Sequence, residues 1–325
     1  MNYANAKVIP PSAIPVIDIG ELAKDSISAH HEIADAFLEA AQTVGFFYVR
    51  NHGVPASLID ETFTTAREFF DRPQQDKEQV GVDRRHRGYL RIGEAKMQGS
   101  PTSDLKESFV WGREFSSEEV TRLSDNPMIG ANRWPAFVPR MPEVLNAYFE
   151  ACVDLGQRLL RIFALALDVD PDYFTGSFAR TISRGSILYY PPQPPELGDK
   201  QFGVAPHTDY GCLTLLYQDT TGGLQVLARD GSWVTAVPIP ETYVVNVGDL
   251  LARWTNNRFR STPHRVVNTA GRARQSIAVF VDPDFETRIV PVVRGAEAAR
   301  FPETTCGEYI LGRFDKSFNY RRSGV

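Results

Sequence analysis

The period of apolar positions changes near residue 180. Before that point helical spacing dominates. Between Ser28 and Val44, residues Ile33, Ala36, Phe37, Ala40 and Ala41 recur on one stripe, and Gly45 supplies a stop. Ala56 to Phe70 predicts a second helix. Pro142 to Leu167 predicts a long third one, with Leu145, Phe149, Cys152, Leu155, Leu159, Ile162, Phe163 and Ala166 at helical spacing, a face to pack on a core. Val16 to Asp18 and Phe46 to Arg50 read as short strands, and residues 1–13 as a loose arm. From Ile182 onward the texture turns to short β-rich runs: Ser186–Tyr190, Leu213–Tyr217, Gly223–Leu227, Trp233–Ala236, Tyr243–Val247, Arg265–Asn268 and Ser276–Val281. Asp230-Gly231 marks a hairpin turn. Between the two regimes, segment 84–113 opens on Arg84-Arg85-His86-Arg87 and reads as a variable insert or lid with a solvated basic loop.

The candidate chemistry falls in the β-rich half. His207-Thr208-Asp209 places an imidazole and a carboxylate two residues apart; on a strand both point to one side and reach one ion together. A second histidine, His264, follows far downstream before Val266 and Val267. Two histidines and one carboxylate are the set with which non-haem Fe(II) is held on one face, leaving open positions on the other. The absence of thiolate ligands argues against a structural zinc site. Zinc hydrolysis with the same three ligands is allowed by the ligand chemistry alone. Arg274-Gln275-Ser276 separates the two readings: on a strand Arg274 and Ser276 share a face and make a clamp for a carboxylate, which a hydrolase does not require. Of the remaining histidines, His30 and His31 sit at a helix start and read as exposed, His52 lies in a turn, and His86 in the basic loop.

Taken together, the motifs resemble the isopenicillin N synthase-like family of Fe(II)/2-oxoglutarate-dependent dioxygenases. The resemblance rests on Ile14-Pro15-Val16-Ile17-Asp18, Gly45 through Val54, Phe69-Phe70, Arg87-Gly88-Tyr89, Lys106-Glu107-Ser108, Tyr189-Tyr190-Pro191-Pro192, Gly222 through Val226, Val245 through Asp249, and His264-Arg265-Val266. It covers nearly all of the chain. It implies a mainly β fold with flanking helices around a double-stranded β-helix, or jelly roll. It implies that His207, Asp209 and His264 bind iron, that Arg274 and Ser276 take the far carboxylate of 2-oxoglutarate, and that Tyr190 contacts the co-substrate or substrate carboxylate. Dioxygen is the further reactant. Leu188 stands where many relatives carry Asn. The expected organisation is a single oxygenase domain over 1–325, with a helix-rich N-terminal region 1–180, a β-rich core 181–285 and a C-terminal cover 286–325. A C-terminal helix near Tyr309 to Tyr320 closes the pocket mouth in such enzymes.

Composition narrows the partners. The 325 residues are 42% hydrophobic and 23% charged, an ordinary globular balance. A net charge of −5 gives no overall attraction to nucleic acid. No apolar run reaches the length of a membrane helix, and the N-terminus lacks an apolar signal core, so cytoplasmic residence is expected. Cys152, Cys212 and Cys306 have neither metal nor redox spacing and read as buried thiols. The expected substrate is a small polar metabolite, nucleobase-like or amino-acid-like, hydroxylated with release of succinate and CO2. Tyr210, Phe280 and Arg184 are the candidate substrate residues, and Arg87 and Arg91 are further cations for an anionic group. The texture is similar to that of small-molecule hydroxylases such as thymine 7-hydroxylase, but Ser186 replaces the arginine expected there to hold the base. Two alternatives stand beside this reading: an oxidative cyclase independent of 2-oxoglutarate, and a silent metal-binding or small-molecule-binding protein. The oligomeric state is not readable from the chain.

Overall fold

The computed structural model describes residues 14–23, 27–97, 100, 102–193, 201–268, 270–318 and 320. The expected loose arm lies outside them. The strands are β1 (Val16–Asp18), β2 (Phe46–Arg50), β3 (Gly88–Leu90), β4 (Glu107–Gly112), β5 (Arg184–Tyr190), β6 (Val204–His207) and β7 (Leu213–Gln218). They continue with β8 (Leu224–Leu227), β9 (Trp233–Thr235), β10 (Thr242–Val247), β11 (His264–Val266), β12 (Arg274–Val281), β13 (Arg288–Ile289) and β14 (Thr304–Thr305). The helices are α1 (Ile27–Thr43), α2 (Ala56–Phe70), α3 (Gln74–Glu78), α4 (Ser117–Arg122), α5 (Met141–Ala166), α6 (Asp249–Trp254) and α7 (Cys306–Ser317).

Two sheets form the jelly roll. The larger has eight strands in the order β1-β2-β10-β7-β12-β5-β4-β3, and the smaller has the order β6-β11-β8-β9. The hairpin expected at Asp230-Gly231 joins β8 to β9. Helices α1, α2 and α5 cover the outer face of the large sheet, and the α5 stripe, including Leu145, Phe149, Cys152, Leu155, Leu159 and Phe163, is buried as its period requires. Gly156 lets α5 approach β12: a Cβ there would stand 2.6 Å from the Val281 side chain.

The structure corrects the reading of segment 84–113. It is not an insert over the fold, because β3 and β4 are the last two strands of the large sheet, with β4 paired along its length to β5. Nor is its basic cluster wholly solvated. Arg84 is exposed, but His86 and Arg87 are buried. His86 lies against Phe314 and Phe318 from the C-terminal segment and hydrogen-bonds Tyr320. Arg87 donates to the carbonyls of Arg85, His86 and Met128. A charged run shows polarity but not what a segment more than two hundred residues downstream lays over it. The helix-rich region before residue 180 thus contributes β1 to β4 to the same sheet as β5, β7, β10 and β12.

Candidate metal and co-substrate site

β6 and β11 pair antiparallel with His207 opposite His264, and this register alone brings the two imidazoles to a ring separation of 4.3 Å. Asp209 arrives differently from the sequence expectation. β6 ends at His207, so strand alternation does not aim the carboxylate. Asp209 sits in the following loop, whose backbone carbonyl accepts from Asp249 N at 2.7 Å. Its side chain is fixed by two donors to Oδ2: Thr214 Oγ1 at 2.6 Å and Asn246 Nδ2 at 2.7 Å. Oδ1 is left 3.6 Å from His207 Nε2 and 3.7 Å from His264 Nε2. Gly211 permits the loop to close, since a Cβ there would stand 2.0 Å from Asp282 Oδ1. Asp282 in turn accepts from Cys212 N at 2.8 Å.

The three groups are poised for a cation. Their ligand atoms lie within 4.8 Å of one another. Each imidazole turns Nδ1 toward a backbone carbonyl, Ala205 O at 2.8 Å for His207 and Thr262 O at 3.2 Å for His264, which presents Nε2 as the free lone pair. Burial, then the neighbouring His264, push the His207 value down to about 3, so its imidazole is neutral. Burial opposes ionisation of Asp209, but the two histidines, Thr214 and Asn246 outweigh it and hold the carboxyl below its ordinary value. Neutral imidazole and ionised carboxylate are the states that coordinate. Nitrogen and oxygen donors without thiolate suit Fe(II).

On β12 of the large sheet Arg274 is fully buried. It donates to Gly222 O at 2.6 Å, to Ser276 Oγ at 3.1 Å and to Gln218 Oε1 at 3.4 Å, and its guanidinium lies 4.6 Å from the centre of the Tyr190 ring. Among the described residues it makes no ion pair. A buried cation without a carboxylate is costly, and an anionic guest would supply the missing charge. Ser276 faces Gln218 and Leu188 in register, on the same side of β12 as Arg274.

His207 and Asp209 line a cavity of about 110 Å³, with His264 behind them. Tyr210, Phe280 and Arg184, expected from the sequence, all line it. So do Lys106 and Phe314, which sequence reasoning missed in this role. Arg184 is already engaged: it pairs with Asp282 at 3.3 Å and sits between the rings of Phe280 and Phe314. Arg91 does not reach the cavity; it is exposed and pairs with Glu94. The roof is α7. Tyr210 Oη meets Ser317 Oγ at 2.5 Å, Arg313 pairs with Asp249 at 3.0 Å, and Phe318 bridges to Ala95. Wider surface clefts, such as one of about 560 Å³ beside α6, contain none of the triad.

Two histidines and a carboxylate in a jelly roll, and a buried arginine with no ion pair among the described residues, are the donor set and the cation that a non-haem iron enzyme with an acidic co-substrate calls for. Residues 14–137 match the family described as non-haem dioxygenase in morphine synthesis N-terminal, and residues 185–283 match the 2OG-Fe(II) oxygenase superfamily. The chain belongs to the isopenicillin N synthase-like family of 2OG-Fe(II) oxygenases, and its cofactors are Fe(II) and 2-oxoglutarate. It is 33% identical to a homoarginine-6-hydroxylase from Glycine max over 94% of this chain and 98% of that protein. A 2-oxoglutarate-Fe(II) type oxidoreductase from Emericella nidulans is 31% identical, over 95% and 91% of the two chains. The crystal structure of a full-length Neurospora crassa protein in complex with alpha-KG and thymine superposes with a TM-score of 0.82 at 30% identity, covering 92% of this chain and 96% of that one. No helix among the described residues is long and apolar enough to cross a membrane.

Proposed function

We propose that the chain is one catalytic domain that hydroxylates a small metabolite at the expense of 2-oxoglutarate and dioxygen, releasing succinate and CO2. His207, Asp209 and His264 hold the iron. Arg274 and Ser276 receive the far carboxylate of the co-substrate, with the Tyr190 ring as a wall beneath the guanidinium. Bound iron and 2-oxoglutarate supply the activation of dioxygen and the oxidising power. The residues around them orient and exclude water. Thr214 and Asn246 fix which oxygen of Asp209 faces the metal, Phe280 and Leu188 form the cavity side, and α7 covers it.

The observation that carries this reading is the His207, Asp209 and His264 cluster in a chain that also buries the guanidinium of Arg274 with no carboxylate partner among the described residues. The cavity is smaller than pockets for drug-sized ligands, roughly 300–1,000 Å³, which favours a compact substrate. The homoarginine-6-hydroxylase and the thymine-bound Neurospora crassa protein, both similar over most of this chain, bear names or ligands of that size class. The test is succinate formation from 2-oxoglutarate by anaerobically iron-loaded protein on admission of air, across amino acids, nucleobases and small aromatic acids. Stimulation by one compound is the expected result. An iron-loaded protein that does not bind 2-oxoglutarate sinks the proposal.

A further inference from the structure

Lys106 is the cavity-lining cation that the proposed reaction leaves without a task. It stands on β4's flank, with Ser108 and Val110 following on the same face. Its side chain is 12% exposed, and its one described partner is Asp104, whose Oδ2 lies 3.2 Å from Nζ. Asp104 is itself pinned: Oδ1 accepts from Ala205 N at 3.1 Å, and its backbone N donates to Ala95 O at 3.0 Å. Ala205 lies on the strand that ends in His207, so the ammonium is fixed relative to the triad. An ammonium has three donors, and a single carboxylate oxygen leaves donors facing the cavity. The same lining carries Leu90, Ala95, Met97, Val110 and Leu188, with the hydroxyls of Ser108 and Ser186 between them.

The other charges of the lining are already matched. Arg184 pairs with Asp282 at 3.3 Å. Arg87 lies behind the wall and not in the lining: it packs against Gly112, where a Cβ would stand 2.3 Å from its Nη2, and Asp83 and Glu114 counter its charge. With iron and 2-oxoglutarate bound, the divalent metal and Arg274 would offset Asp209 and the two carboxylates of the co-substrate. The spare donors of Lys106 are therefore left to the substrate.

We infer that Lys106 anchors the primary substrate, and that this substrate is a small carboxylic acid with an apolar body lying along Met97, Val110 and Leu188. The inference rests on the oxygenase reading and narrows its substrate class. A nucleobase-like guest without a carboxylate does not use the anchor.

The test is calorimetric binding to the full chain, iron-loaded, saturated with 2-oxoglutarate and kept free of oxygen. The probes are matched acid and amide pairs: benzoate and benzamide, phenylacetate and phenylacetamide, hexanoate and hexanamide. At least one acid should bind roughly tenfold or more tighter than its amide, the scale of one charge-assisted hydrogen bond. Lys106→Met should erase that preference. Because this variant leaves Asp104 buried and unpaired, Asp104→Asn/Lys106→Met is measured beside it and should behave alike. Absence of any acid preference in the parent protein overturns the inference, as does a preference that survives both variants. So does a loss of 2-oxoglutarate affinity in Lys106→Met as large as that in Arg274→Ala, which would move Lys106 to the co-substrate. Failure of the parent protein to bind 2-oxoglutarate is read in the first titration and overturns the oxygenase reading instead.

Discussion

Asn246 Nδ2 lies 2.7 Å from Asp209 Oδ2, the oxygen turned away from the two histidines. Thr214 Oγ1 shares that oxygen, so the carboxylate rotation is set by β10 and β7 rather than by its own loop. Asn246→Ala should weaken iron binding by roughly 10–100-fold, the usual cost of removing a partner that orients a ligand. At saturating iron its turnover should return most of the way to that of the parent. Metal titration followed by succinate assay checks both parts, and an unchanged iron affinity would show that Thr214 alone suffices.

Arg274→Ala removes the buried cation and should raise the apparent Kd for 2-oxoglutarate by about thirtyfold or more, equivalent to about 2 kcal/mol. Arg274→Lys should recover only part of that, since an ammonium lacks the planar fork. Titration of iron-loaded protein with 2-oxoglutarate is the measurement. An unaltered Kd in Arg274→Ala would remove the clamp from the co-substrate site.

The metal-free protein should lose stability as the pH drops from about 6.5 toward 3. His207 has an ordinary value of 6.5 and a folded value of about 3. Between these limits the unfolded chain takes up a proton that the folded chain refuses, so stability rises with pH across the window and is lost as pH falls. Asp209, held below its ordinary value of 3.8, adds stability that is present above that value and lost as pH falls through the lower folded one. Thermal melting of the chelated protein should show this slope, and His207→Gln should flatten it. A melting temperature that does not change across the window would contradict the neutral imidazole.

On the face of β4 opposite the cavity-lining Ser108, Lys77 and Glu107 form a buried pair at 2.5 Å, and Tyr89 Oη donates to the same carboxylate oxygen. Lys77→Met should cost about 3–5 kcal/mol, because it strands a buried carboxylate. The double variant Lys77→Met/Glu107→Leu should lose much less. Urea unfolding of the three proteins decides it, and equal losses for single and double variants would show that the pair is not coupled.

How much of this is legible in the sequence depends on whether a residue's partners are local. The α2 limits, Ala56 and Phe70, follow from helical spacing alone, and the α5 stripe buries the residues its period selects. His207, Asp209 and His264 stand out because few other roles use those groups in that order. The reason Asp209 points correctly does not stand out. Thr214 and Asn246 look like ordinary strand residues, and only the pairing of β7 with β10 brings them to the carboxylate. The burial of His86 and Arg87 is hidden for a similar reason: it depends on Phe314, Phe318 and Met128, none of them near in sequence. Lys106 is visible as part of a motif, but its direction into the cavity requires β4 to be a strand of the sheet rather than part of a lid.

The roof of the cavity is the last helix of the described chain, fastened through Ser317 to Tyr210, the residue beside Asp209. On a ribosome, the triad can assemble only after β11 has emerged, and its cover follows later still. A nascent chain therefore passes through a stage in which His207, Asp209 and His264 are present before the helix that roofs their cavity. Metal acquired at that stage would meet dioxygen without that cover. The order of the elements along the chain makes emergence of α7 the event that separates a vulnerable iron site from a protected one.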